Sequence, residues 1–298
     1  MKEVKMKKLG CYQNGNYQVT IFDDGTKIRE NDFDWFTPEY PESMDIKITN
    51  FCDRGCPWCH ENSAPDGTHG DILNSKFIDT LHPYTELAIG GGNPLSHPDL
   101  VPFLLKCKTL KLIPSMTVNQ EHFVKEFDLI QKLAEQKLIY GIGVSLTGVN
   151  DDLIQKLRAL PNSVLHVIAG VVSVDDLRRL YDYDLKLLIL GYKVFRRGKD
   201  YYSDSVAKRK KNLYALLLEL IKHFQVVSFD NLAVCQLDVK RLMTDKEWKE
   251  FYMGNDGQFT MYIDLVKREF AKSSTATERY PLLEDIKPMF KKVRREAV

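Results

Sequence analysis

From residue 44 to about residue 193 the chain alternates short apolar runs with amphipathic stretches, and this alternation restricts the fold more than any other feature. Runs at 44–49, 86–89, 115–118, 139–146, 164–172 and 185–190 read as strands, with helices expected at 74–81, 98–108, 122–136, 150–160 and 174–181. Six strands separated by helices predict a parallel α/β sheet, because crossovers of fixed hand return each strand in the same direction. Period and spacing leave open whether it winds into a barrel or stays an open doubly wound sheet. In both, ligands bind beyond the carboxyl ends of the strands. The unusual residues fall there. The first strand runs into a cysteine loop, the second into Gly90-Gly91-Gly92-Asn93-Pro94, and the third into Asn119. The fourth ends at Ser145 and the fifth at Ala169-Gly170-Val171.

The flanks differ from this core. Residues 11–43 predict a small β-hairpin, with strands at 17–22 and 26–29 around Asp23-Asp24-Gly25. An acidic, aromatic lead-in at 33–41 follows, where Pro38 and Pro41 block regular structure. Beyond Gly191 come a basic link at 195–199, a helix at 205–224 and a possible seventh strand within 226–238. A helix at 244–252, a terminal hairpin at 259–266 and 269–274, and a short basic tail at 287–295 complete the chain. The expected division is a lead-in at 1–43, a core at 44–193 and a C-terminal α+β extension at 194–298 that caps the substrate side.

A net charge of +1 argues against a chain that coats nucleic acid, without excluding a local basic groove. The basic runs at 208–211 and 287–295 lack interleaved aromatic residues and read as solvated faces. No run of about 18 apolar residues predicts a membrane span, and residues 1–8 carry no apolar signal core. Three of the six cysteines, Cys11, Cys107 and Cys235, are isolated, so no disulfide framework is expected and a reducing cytoplasm is the natural setting.

The other three, Cys52, Cys56 and Cys59, fall within eight residues at spacing C-x3-C-x2-C. His60 could complete a Cys3His zinc set. Three thiolates without a fourth suit a [4Fe-4S] cluster, in which one iron stays open to another ligand. The loop, with aromatic Trp58 before its last cysteine, resembles the signature loop of the radical SAM superfamily, and Gly91-Gly92-Asn93-Pro94 resembles that family's GGEP motif, with Asn93 standing where Glu is usual. The resemblance covers residues 44–193 and implies a (β/α)6 partial TIM barrel. It also implies a [4Fe-4S] cluster on Cys52, Cys56 and Cys59, and S-adenosyl-L-methionine (SAM) chelated to the open iron and cleaved to a 5′-deoxyadenosyl radical. By position, Gly91, Gly92, Asn93 and Pro94 would hold the methionine end of SAM, with Asn119 and Ser145 in the same shell. Gly170 and Tyr192 would meet the adenine, and Trp58 would pack on it.

Such a protein draws electrons from a low-potential donor of the flavodoxin or ferredoxin type and is oxygen-sensitive. One cluster motif and no evident peptide-recognition domain favour a small molecule or nucleotide as substrate. A glycyl-radical-enzyme activase, suggested by Cys59-His60, and a peptide-modifying enzyme are the alternatives. A non-enzymatic iron–sulfur or zinc protein is the reading outside this class.

Overall fold

The computed structural model describes residues 6–33 and 35–295; residues 1–5, which make up most of the lysine-rich start, together with Asp34 and residues 296–298, lie outside the described set. The first strands, β1 (Lys8–Asn14), β2 (Tyr17–Phe22) and β3 (Lys27–Glu30), form a three-stranded antiparallel sheet. The hairpin expected from sequence is β2 and β3. The extra strand joins through a tight turn in which Gly15 takes φ +62°, where a Cβ would lie 1.8 Å from the Thr37 carbonyl oxygen.

The main sheet takes β4 (Ser43–Thr49), β5 (Glu86–Gly91), β6 (Ile113–Asn119), β7 (Gly141–Ser145), β8 (Ser163–Ile168) and β9 (Lys186–Leu190) side by side and parallel. These are the six strands expected. A seventh, β10 (Val226–Phe229), pairs in parallel with β9. It is only four residues long, because Asp230 accepts from the Ala233 amide and starts the helix Asn231–Gln236. The terminal hairpin, β11 (Thr260–Asp264) and β12 (Glu269–Ala271), is joined by β13 (Tyr280–Pro281). Strand β11 lies parallel to β4, so the last third of the chain extends the core sheet at both edges.

Several expected helices differ in detail. Residues 74–81 hold a 3-10 turn at Lys76–Thr80, and the helix expected over 122–136 divides at Glu126 into Gln120–Lys125 and Phe127–Glu135. The basic tail is a helix, Ile286–Arg294. Its Ile286, Met289, Phe290 and Val293 are buried, the i, i+3, i+4, i+7 stripe of a packed helix. Its lysines stay at the surface, and Lys287 pairs with Glu39 at 2.6 Å.

Strand parity explains the architecture. Met44, Ile46, Ile48, Leu87, Ile89, Met116, Val118, Ile142 and Val144 belong to the buried core. The alternate positions carry Asp45, Lys47, Ala88, Gly90, Thr117, Asn119, Gly143 and Ser145, which are charged, polar or small. One sheet face therefore packs and the other is hollow. The sheet curls into a partial barrel: the Lys193 ammonium, just past β9, donates to Ser274 Oγ at 2.9 Å, just past β12, although most of the sheet lies between those strands.

The small N-terminal sheet lies across the amino ends of the parallel strands. Glu42, fully buried just before β4, accepts from Tyr17 Oη at 2.5 Å and from Arg29 Nε and Nη2 at 2.8 and 2.9 Å. Lys27 pairs with Glu86 at the start of β5 at 2.6 Å. Function is left to the opposite end. Among the described residues no helix is long and apolar enough to cross a membrane.

Candidate functional site

A cavity of about 280 Å³ opens at the carboxyl ends of the strands. Of the residues that the resemblance assigns to cluster or SAM, Cys52, Cys56, Cys59, Trp58, Gly91, Gly92, Asn119 and Ser145 line it. The other four serve the wall behind. The Asn93 side chain accepts from the Leu95 amide and caps the 3-10 turn Pro94–Ser96, in which Pro94 is buried. Gly170 takes φ +90° where Val206 packs against it, and the buried Tyr192 hydroxyl donates to the Gly198 carbonyl at 2.6 Å.

The cysteine loop is tied from several sides. Its base closes through the Cys52 amide, which donates to the Ala64 carbonyl at 3.0 Å. The helix Gln120–Lys125 holds one flank, with Glu121 paired to Arg54 and His122 bonded to Asp53 at 2.6 Å. The basic link at 195–199 holds the other. Arg196 Nη1 donates to the His60 and Glu61 carbonyls at 3.1 and 3.0 Å, and Arg197 Nη2 to the Ser63 carbonyl at 2.6 Å. Trp58 meets Tyr201 edge-on at 5.5 Å. Burial pushes the Cys52 and Cys56 thiols up, and the Arg197 guanidinium works against it. Asn119 fills two roles: Oδ1 caps its helix through the Glu121 amide, and Nδ2 reaches Cys56 Sγ at 3.7 Å.

The glycines act differently from one another. Gly90 faces open space. Gly91, at φ +114°, and Gly92 let β5 press against the root of the cysteine loop; Cβ atoms there would sit 2.3 Å from the Thr49 carbonyl oxygen and 2.0 Å from that of Phe51. Amides from Gly92 and Asn93 donate to these same carbonyls at 2.8 and 2.7 Å. The run thus registers the loop as well as lining the cavity.

Among the described residues, no three His, Cys, Asp or Glu side chains converge closely enough to hold a single metal ion. His60 is engaged elsewhere, 3.3 Å from both Lys193 Nζ and Glu61 Oε1. A Cys3His zinc site is therefore not preformed. Three thiols facing one cavity without meeting at a point fit a cubane cluster, whose irons sit at separate corners.

Sequence reasoning missed the charged interior. Lys47, 2% exposed, pairs with Glu61 at 2.6 Å and with Asp264 at 3.3 Å. Burial works to raise the Glu61 carboxyl, but hydrogen bonding to His60 and the charge of Lys47 outweigh it and hold the carboxyl well below the usual range. Burial, reinforced by the Lys193 ammonium, lowers His60 against the opposing pull of Glu61. Asp45, Tyr262 and His166 also face the cavity.

His166 lies over Gly143, where an added Cβ would come within 2.2 Å of its ring. Its Nδ1 has no partner, and burial lowers its pKa to about 4. The unfolded chain takes up this proton near pH 6.5, so protonation opposes folding progressively from there down to about pH 4. The contribution is at most roughly 3 kcal/mol, less wherever cavity water screens the ring. His166→Gln is expected to flatten the stability profile over that window, as measured by denaturant unfolding at several pH values. An unchanged slope would exclude this role.

Taken together, the fold is a curled, mostly parallel α/β partial barrel with a cysteine-rimmed cavity at its carboxyl end. Three structures of Streptococcus suis SuiB are similar to it. The structure bound to precursor peptide SuiA is 14% identical, with a TM-score of 0.57 over 87% of this chain and 67% of that one. The structure bound to S-adenosylmethionine is 13% identical, with a TM-score of 0.55 over 82% and 64%. A third SuiB structure is 11% identical, with a TM-score of 0.55 over 91% and 82%. No protein-family model and no curated protein matches the chain. At these identities the likeness is one of fold.

Proposed function

We propose that the chain is a radical SAM enzyme. The observation that carries this reading is the approach of Cys52, Cys56 and Cys59 to the same cavity as the glycine-rich end of β5, in a fold shared with a protein solved with S-adenosylmethionine. Cys52, Cys56 and Cys59 would hold a [4Fe-4S] cluster. When bound, the cluster and SAM supply reductive cleavage of the sulfonium and a 5′-deoxyadenosyl radical that abstracts hydrogen from substrate.

The protein's own part is positioning and exclusion of water. Gly91 and Gly92 leave backbone polar groups open to the methionine end of SAM, and Ser145 offers a hydroxyl from β7. Trp58, backed by Tyr201, presents an aromatic face to the adenine. Asn119 donates toward Cys56 and so favours the thiolate. Asn93 and Pro94 set the turn that shapes this wall, while Gly170 and Tyr192 support the far one. A low-potential donor of the flavodoxin or ferredoxin type supplies the electron. Residues 194–298 form the substrate-side extension, and their basic link covers the cysteine loop.

The complex of SuiB with a precursor peptide supports a peptide substrate here over the small molecule or nucleotide expected from sequence. In the test, anaerobically reconstituted protein is reduced with dithionite, given SAM and assayed for 5′-deoxyadenosine against Cys56→Ala. Formation at least 100-fold above the variant is expected. Equal amounts from both proteins would refute the reading.

A further inference from the structure

Asp45 is the carboxylate inside the barrel that the fold does not use. It stands in register with Ala88 and Ser115, four residues short of Asn119 on β6, hence about 13 Å deeper than the rim along the strand direction. Among the described residues it has no hydrogen-bond or ion-pair partner, and its side chain opens onto the cavity. Of the nearby ammonium groups, Lys47 is paired with Glu61 and Asp264, while Lys193 is hydrogen-bonded to Ser274 and close to His60 and makes no ion-pair contact with Asp45. Arg196, 3.6 Å from Glu61, completes the balance around the Glu61 and Asp264 carboxylates and leaves Asp45 as the one without an ion-pair contact. Burial is the largest influence on Asp45; Lys193 acts on it through its charge from beyond ion-pair distance, and Asp256, Asp230 and Glu61 oppose that charge.

Water solvates this carboxylate while the cavity is open. A ligand that fills the cavity removes that water, and a carboxylate so stripped needs an opposite charge or several donors in its place. The small side of the neighbouring strand, Ala88 and Gly90, leaves room for such a group. SAM's own ammonium does not meet the need, because the cofactor's amino and carboxylate groups belong at the cysteine end.

We propose that the inner cavity takes the substrate by an organic cation, a protonated amine or a guanidinium, whose counter-charge is Asp45. This rests on the reading above only in calling the ligand the substrate. It sets the class of side chain or small molecule that enters, since an acidic group would face the unpaired Asp45 carboxylate.

The test is calorimetric titration of the full chain, reconstituted anaerobically with iron and sulfide, using four blocked amino acids: the N-acetyl methylamides of lysine, arginine, norleucine and glutamate. At least one cation is expected to bind tenfold or more tightly than norleucine, with glutamate weakest. Asp45→Asn should abolish the preference and leave the denaturation midpoint no lower than wild type. Equal affinity for lysine, arginine and norleucine derivatives, an undiminished preference in Asp45→Asn, or no binding of either cation at millimolar concentration would overturn the proposal. The readout needs no SAM cleavage. A protein that binds the cation but forms no 5′-deoxyadenosine would refute the radical SAM reading and leave this one standing, and the converse result would do the opposite.

Discussion

Lys47→Met is expected to cost the fold about 3–5 kcal/mol, because it strips the shared counter-charge from two buried carboxylates. Glu61 and Asp264 would then face each other across a space from which water is largely excluded. Methionine keeps the unbranched stem, so the loss reports charge rather than packing. The dependence on pH has a definite sign. In the native chain the Glu61 carboxyl is held low and contributes stability above its unfolded pKa, lost as pH falls through the folded value. The variant loses the part of that contribution that Lys47 supplies, while His60 and Arg196 remain beside Glu61, so the gap between the two proteins should be widest near neutral pH and narrow on acidification. Combining Lys47→Met with Glu61→Gln and Asp264→Asn should recover part of the loss. Urea denaturation checks all of this; a gap under about 1 kcal/mol, or one that does not change with pH, would mean the pairs contribute little.

Gly92→Ala should disable the site by a different route. The Gly92 backbone is not in the left-handed region, so alanine brings no conformational strain, only a methyl group 2.0 Å from the Phe51 carbonyl oxygen. Relief requires moving β5 or the root of the cysteine loop, at about 1–3 kcal/mol. The loop is the side that gives, because β5 is clamped between β4 and β6. Iron retained after anaerobic reconstitution is therefore expected to fall several-fold. Gly90→Ala is the informative partner, since a Cβ there meets nothing within 4 Å. It should keep both stability and iron while narrowing the cavity. Equal iron retention in both variants would show that Gly92 does not register the loop.

The six parallel strands of the core were legible because alternation of apolar runs and amphipathic helices is a local signal that the parallel sheet respects. The cysteine loop and glycine run were legible for a related reason: few other roles account for those residue types at a strand end. What escaped was set by partners distant in sequence. Asp45 and Lys47 alternate with Met44, Ile46 and Ile48, a pattern that marks a strand but does not say what its polar side faces. In a sheet whose outer face is wrapped by helices, the polar parity faces the interior, and charge there marks a site. His166 carries the same signal in β8. Ile286, Met289, Phe290 and Val293 spell a helix whose lysines drew attention away from the stripe beneath them. Asn93, at the position of the family's glutamate, is spent on its local turn, an outcome that spacing alone could not reveal.

The pairing of β11 with β4 bears on how the chain comes to exist. Strand β4, which leads into the cysteines, has one neighbour within 50 residues and the other more than 200 residues later. While the polypeptide leaves the ribosome, that second edge stays bare until residues 260–264 emerge, an unpaired row of amides beside an apolar strand. Before that moment the three thiols stand on a half-built cup. The topology thus defers completion of the cup until residue 260 has emerged, and a nascent chain stalled short of it would be a target for chaperones.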